Sequence, residues 1–395
     1  MKRKKILALL WLVVPILAGL LMSVGPVESA SFASASWKVV PTPNPSTSSM
    51  ALRGVSAVSS SNAWAVGYSA NKTLIERWNG TRWSVVPSPN PSPTGNTLNA
   101  VAAISATNVW AVGFYNGSTS GQTLIEHWNG TKWSVVASPN PGTASNSLLA
   151  ISALSSKDIW AVGLYANSAG NFQTLTEHWN GTKWSFVSSP SPGSLDNTLI
   201  GVTVLSATDA WAVGTYFINP DPDQAHNATL ILHWNGRAWA VVSSPSPTDR
   251  INVLHGVAAA SANDVWAVGN RTRPNAPSSL SNNRTMVQHW NGTKWSVVPS
   301  PNHSAYDNTL LSVTVISAND IWAVGNYDNG KPPKHTLTEH WNGTSWMVVA
   351  SPNVGTDLNS LESVARVPGT HNVWAVGEYF DTTINAWRTL AEYYS

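Results

Sequence analysis

The tetrapeptide Trp-Ala-Val-Gly occurs seven times in this chain of 395 residues, beginning at Trp64, Trp110, Trp160, Trp211, Trp266, Trp322 and Trp374. Successive copies lie 46, 50, 51, 55, 56 and 52 residues apart. A unit repeated at such a period cannot bury its apolar face alone and must stack on its neighbours, which restricts the chain to solenoids and propellers. Most of the unit is fixed in length. A leading Leu, first seen at Leu52, precedes the WAVG Trp by 12 residues in six copies and by 13 in the last, Leu361 to Trp374. Further on come two Trp spaced by five, as in Trp78/Trp83 and Trp341/Trp346, and the second of them is always 15 residues before the next leading Leu. Only the segment after WAVG changes. From its Gly to the next TL-type Leu or Met it runs 7, 11, 12, 16, 17, 12 and 13 residues. A fixed frame with one elastic segment is what a scaffold carrying position-specific loops requires.

Each unit reads as four short strands. The first is Leu-x-small-Val/Ile, with Gly54, Ala100, Ala150, Gly201, Gly256, Ser312 and Ser363 at its third position. Small side chains there suit strands crowded around an axis. A turn follows in which the residue two before the WAVG Trp is Asn or Asp (Asn62, Asn108, Asp158, Asp209, Asp264, Asp320, Asn372), expected to close the turn on nearby backbone N–H groups. WAVG is the second strand and Thr-Leu-Ile-Glu-His-Trp the third. Asn-Gly comes next in six copies, from Asn79-Gly80 to Asn342-Gly343, and predicts a two-residue hairpin because both residues tolerate positive φ. Trp-Ser-Val-Val is the fourth strand, and a Pro six residues after its Trp (Pro43, Pro89, Pro139, Pro190, Pro245, Pro301, Pro352) marks it as an outer edge.

Four antiparallel strands per unit of about fifty residues make a propeller blade. The two ends of the chain are complementary. Trp37 to Val40 is a lone fourth strand, whereas the C-terminus supplies a first, a second and a third (Leu361 to Val364, Trp374 to Phe380, Arg388 to Tyr394) and stops. The expected fold is therefore an all-β, seven-bladed propeller of four-stranded antiparallel blades over residues 36–395, closed by pairing the N-terminal strand with the C-terminal blade.

The Ser-x-x-Asp-x-Trp-Ala-Val-Gly and His-Trp-Asn-Gly-Thr-x-Trp motifs resemble the WAVG-type propeller repeats of exported bacterial proteins, and the resemblance covers residues 37–395. Kelch and Asp-box propellers are more distant: the kelch double Gly is missing, and so is the Asp-box order in which Gly follows Asp by two. The Gly-His and Trp-Asp pairs of WD40 repeats are absent as well. The resemblance implies an exported propeller and carries no reaction with it.

The first 35 residues read as an export signal. Lys2, Arg3, Lys4 and Lys5 form a positive start, Ile6 to Val24 is apolar, and Ala33-Ser34-Ala35 offers a small-residue cleavage site. The apolar run also matches the roughly 20 residues of a membrane span, so an uncleaved anchor is the alternative and would be the only membrane contact. Pro15 and the cleavage site favour removal, leaving a secreted or cell-surface chain. Without the four basic residues and Glu28 of this leader, 22 basic and 20 acidic residues become 18 and 19, a net charge of −1. No basic field remains to hold nucleic acid. The chain has no Cys, so disulfides and thiolate chemistry are excluded and stability must come from packing and ring closure.

Motifs that invite chemistry have plainer explanations. Twenty of the 22 Trp belong to the repeat frame (Trp11 and Trp387 do not), which assigns them to packing between blades rather than to sugar stacking. Glu126-His127, Glu177-His178 and Glu339-His340 recur on separate blades, so their His cannot converge on one ion. A structural hydrogen-bonding role is expected. Asn-Gly-Thr matches a glycosylation acceptor at Asn79, Asn129, Asn180, Asn291 and Asn342, but turn chemistry accounts for it; in a eukaryotic source the loop residues Asn116 and Asn227 would be the better candidates. Asp221-Pro222-Asp223 with His226 lacks the Gly and the distal Glu of a calcium loop. No catalytic residue, metal site or cofactor is assigned.

In such a blade the second-to-third loop and the crossover to the next blade emerge on one face, which then carries all the length variation. The two longest loops, of blades 4 and 5, are neighbours there. Blade 4 contributes Asp221, Asp223 and His226, blade 5 contributes Arg271, Arg273 and Arg284, and the crossover between them adds Asp249 and Arg250. These eight residues are the expected ligand rim, since binding groups concentrate on loops held by a rigid scaffold. The sequence thus points to a monomeric exported or surface propeller that binds a glycan or a protein. A carbohydrate-active enzyme (glycosidase or lyase) and a structural envelope protein are the alternatives.

Overall fold

The computed structural model describes residues 35–218, 226–248, 250–272 and 283–395, and residues 36–395 form one compact unit. Seven four-stranded antiparallel sheets follow one another around a ring. In blade 1 the strands are Met50–Ser59, Asn62–Ser69, Lys72–Trp78 and Trp83–Val85, innermost first. Blades 2 to 6 repeat this order. Blade 7 is made of Asn359–Arg366, Val373–Asp381 and Ala386–Tyr394, with Trp37–Val39 as its outer strand. The ends pair as the repeat count requires, Trp37 opposite Tyr394 and Val39 opposite Glu392. The Arg388 guanidinium tightens the seam by donating to the carbonyls of Ser46 (2.7 Å), Ser48 (3.3 Å) and Thr47 (3.4 Å).

The small third position of the inner strand has a direct cause. A Cβ added at Gly54 would stand 2.9 Å from Ala100 Cα of the next blade, and one at Gly256 would stand 3.0 Å from Ser312 Cα. Inner strands approach one another too closely for anything larger.

Tryptophan fills the space between blades. Six of the seven WAVG rings pack on the two Trp of the blade that follows: Trp110 lies 4.8 Å from Trp179 and 5.7 Å from Trp184, and Trp266 lies 4.9 Å from Trp341. The pattern continues across the closure. Trp322 of blade 6 meets Trp37 at 5.4 Å edge-on, and Trp374 of blade 7 meets Trp78 and Trp83 of blade 1 at 5.0 Å each. Every core cluster accordingly spans two adjacent blades, with the WAVG Trp and Val on one side and Leu and Trp on the other. Buried aromatic pairs of this kind add about 0.5–1.5 kcal/mol each beyond their area.

Three local expectations are corrected. The Asn-Gly turn is not a two-residue hairpin. Trp78 pairs with Trp83, leaving four residues in the loop. Only the Gly has positive φ (Gly80, +96°), while the Asn79 side chain accepts from the N–H of Thr81 and Arg82 and from the Thr81 hydroxyl. That last bond explains the Thr of Asn-Gly-Thr. The Asp or Asn before WAVG does not close the first hairpin; the Ser three residues earlier does, as when Ser105 Oγ accepts from Thr107 N–H at 3.3 Å. Finally, the outer strand is three residues long in all blades but the fifth, where it has four, so the recurrent Pro lies in the crossover rather than in the edge strand. The Pro carbonyl is put to use there: Thr73 Oγ1 donates to Pro89 at 3.2 Å, and the same Thr latch recurs at Thr123, Thr174, Thr229, Thr285, Thr336 and Thr389.

Candidate functional site on the loop face

The two faces of the ring differ in kind. On the face of the tight hairpins, the His of the third strand lies on the WAVG indole and its Nε2 meets the Asx carboxylate or amide. The pairs are His127–Asn108, His178–Asp158, His289–Asp264 and His340–Asp320 at 2.8 Å, and His233–Asp209 at 2.9 Å. Indole-to-imidazole distances are 4.2–4.5 Å. These His therefore serve the frame, one in each of blades 2 to 6. Blade 1 substitutes Arg77, stacked 5.0 Å over Trp64, and blade 7 substitutes Tyr393, whose hydroxyl accepts from Asn372 at 2.8 Å.

The loop face breaks the repeat. Each inner strand carries a β-bulge one residue after its leading Leu, between Leu52 and Gly54 in blade 1 and at the equivalent place in all seven blades. The extra residue has no partner across the ladder, and a bulge re-aims its side chain. The seven residues so placed are Arg53, Asn99, Leu149, Ile200, His255, Leu311 and Glu362, and together they line an axial cavity of about 440 Å³. In a frame this repetitive, one position that holds a cation, an anion, an imidazole, an amide and three aliphatic chains is not set by packing.

Charge gathers on one arc of that cavity. Arg53 Nη1 is 3.2 Å from Glu362 Oε2, and its Nη2 is 3.6 Å from Glu378 Oε2 on the second strand of blade 7. The guanidinium also faces the Tyr68 ring at 5.8 Å. Ser360 Oγ donates to Glu362 Oε1 at 2.7 Å and is itself held by Asn326 Nδ2 at 3.0 Å. Burial pushes the Glu378 carboxyl up to about 7, with the Arg53 charge opposing the rise and Glu362 reinforcing it. Glu378 is only 8% exposed and its Oε2 makes no hydrogen bond. On the far side of the cavity, burial drives the His255 imidazole towards its neutral form, against the opposing effects of its bond to Asn270 (2.9 Å) and of Glu362. Two carboxylates thus face one guanidinium, with no further cation among the described groups that act on them.

Of the eight residues expected at the rim, Asp221, Asp223, Asp249 and Arg273 lie outside the described residues. The other four fall into two pairs, one of them linked only through the backbone. The N–H of Ile218 donates to the His226 carbonyl and that of Asn227 to the Arg250 carbonyl, while Arg271 and Arg284 stand opposite one another in blade 5. Arg284 has a structural task as well, donating to the carbonyls of Ser304 (2.6 Å) and Ala305 (3.2 Å) as Arg388 does at the seam. The bulge residues escaped the sequence reading. Their signal was present as the single unconserved position inside an otherwise regular Leu-x-small-Val strand.

Fold and site together define a seven-bladed β-propeller with an asymmetric axial pocket on its loop face. The sequence matches no protein-family model and no curated protein. Among solved structures it is similar to YCF48 bound to D1 peptide (TM-score 0.53, 13% identity, 91% of this chain and 96% of that one). It is similar as well to YCF48 from Cyanidioschyzon merolae (0.52, 13% identity, 91% and 98%). A protein of unknown function from Dyadobacter fermentans is a further neighbour (0.51, 10% identity, 91% and 98%). At these identities the likeness is one of fold.

Proposed function

We propose that this chain is an exported or cell-surface binding propeller whose loop face receives a protein partner, with a basic side chain of that partner entering the axial pocket. The observation that carries the reading is the charge at one arc of the bulge ring, where Glu362 on the ring and Glu378 on the strand beside it outnumber Arg53. Part of a buried carboxylate's cost is removed when a cation arrives. Leu149, Ile200 and Leu311 line the rest of the wall, the surface that the methylene stem of a lysine covers. The described ends of the longest elastic segments, Ile218 and His226 in blade 4 and Thr272 and Asn283 in blade 5, lie on the same face. That a propeller of this fold, YCF48, is described bound to a peptide is consistent with the mode of use.

Retention of short peptides with a central Lys, norleucine or Glu, beside a panel of neutral and acidic polysaccharides scored for both retention and new reducing ends, tests the proposal. Lys peptides are expected to be held at least about tenfold more tightly than norleucine peptides, the free-energy difference of a modest charge pair. Equal retention of Lys and norleucine would overturn the ligand assignment, and retention of a polysaccharide in their place would make the partner a glycan. New reducing ends would make the chain an enzyme.

A further inference from the structure

The Glu of the Glu-His-Trp motif plays no part in the pocket. Glu76, Glu126, Glu177, Glu339 and Glu392 occupy the same register in five blades, and each is fully buried. Across the ladder each faces an Ala of WAVG on one side and Val or Phe of the outer strand on the other, as in Ala65–Glu76–Val85 and Ala161–Glu177–Phe186. Neither carboxyl oxygen of any of the five accepts a hydrogen bond. Five bare carboxylates in apolar surroundings would be prohibitively unstable.

Blades 4 and 5 show what the position is for. Blade 4 has Leu232 there, opposite Ala212 and Val241. Blade 5 has Gln288, and its Nε2 donates to the carbonyl of Pro245 at 2.8 Å, in the crossover from the preceding blade. Pro245 is the latch proline of that crossover, and its other donor is Thr229 at 3.1 Å. By repeat register, the corresponding carbonyls are Pro43 for Glu76, Pro89 for Glu126, Pro139 for Glu177, Pro301 for Glu339 and Pro352 for Glu392. Each of these already has its Thr donor and has none in the place of Gln288.

We propose that these five glutamates are protonated in the folded ring and that each donates its carboxyl O–H to the latch proline carbonyl of the preceding blade, making the inter-blade contacts proton-dependent. An ionised carboxylate has no hydrogen to offer and would set like partial charges against each other. Burial alone raises the carboxyls of Glu76, Glu126, Glu177 and Glu392 to about 8 and that of Glu339 well above its ordinary value; no charged or titratable neighbour contributes. The sign follows. Between the ordinary carboxylate value and about 8, the folded ring keeps protons that the unfolded chain has released, so stability is complete in mild acid and is lost as pH rises.

Thermal or urea unfolding of the protein between about pH 4 and pH 9, the window bracketing both values, tests this by linkage. Stability should fall with rising pH at a slope of up to one proton per glutamate. The variant E76Q/E126Q/E177Q/E339Q/E392Q, which gives every position the group that blade 5 already uses, should lose this five-proton contribution, keep only the slope that Glu378 and the other titrating groups supply, and exceed the wild type at the alkaline end. Should the five-fold variant fail to fold, E126Q alone should remove about one proton from the slope, and Q288E should add about one. An unchanged slope in E126Q, or a wild type whose stability is flat or rises over this range, would overturn the proposal.

Discussion

On the hairpin face of this ring blades 2 to 7 repeat the same small machine: an indole, an imidazole or its substitute, and an Asx side chain that binds it. On the loop face the blades diverge at the bulge and in the elastic segment. The difference teaches how a repeated scaffold divides its labour. Positions that every blade must fill to pack on its neighbour cannot vary independently, whereas positions that face the axis or the solvent on one side can. Function is therefore to be sought where the repeat fails.

Several mutations set the two regions against each other. The largest effect should come from the seam. Deleting Ser36 to Pro45 removes the outer strand of blade 7, the buried Trp37 and the Pro43 carbonyl that accepts from Thr389. It should abolish cooperative folding, while an equally long deletion inside the elastic loop of blade 5 should leave melting nearly unchanged. Equal losses would break the closure account. Next, Trp322→Ala opens the contact of blade 6 with Trp37 and Tyr394 and should cost about 3–5 kcal/mol in urea unfolding, as buried aromatic truncations do. Asp320→Ala removes the partner of His340 and of the exposed His371, and should cost about 1–2 kcal/mol.

Smallest in stability, and largest in binding, should be Glu378→Gln on the loop face. Its unfolding free energy should change by no more than about 1 kcal/mol, the scale of a partly shielded ion pair. Retention of Lys peptides should weaken. In the wild type that retention should strengthen as pH rises through about 7, where Glu378 ionises, and in the variant this part of the pH dependence should vanish.

The fold was legible because its determinants are periodic. WAVG, the paired Trp and the fixed Trp-to-Leu distance report blade packing directly, and the split of strands between the ends gave the closure. Local chemistry was harder to read. Asn-Gly carries the signature of a two-residue turn, yet the Trp78–Trp83 pairing imposes four residues and turns the Asn into a side-chain acceptor. The Asp before WAVG has the spacing of a turn former, but its partner, the third-strand His, is about twenty residues away and is seen only once the strands are paired. The pocket was hidden for a related reason. A bulge has no sequence signature of its own here, and Arg53 lies more than three hundred residues from Glu362 and Glu378 until the ring closes blade 7 against blade 1.

The division of labour is tested most directly by making the loop face symmetric. In the variant Arg53→Leu, His255→Leu, Glu362→Leu, Glu378→Asn, each residue takes the identity that another blade carries at the same position, Leu149, Leu311 or Asn326. Melting and Lys-peptide retention are then measured on the same sample. The account predicts a ring that melts within a few degrees of the wild type and no longer distinguishes Lys from norleucine. Undiminished discrimination in a folded variant would contradict it.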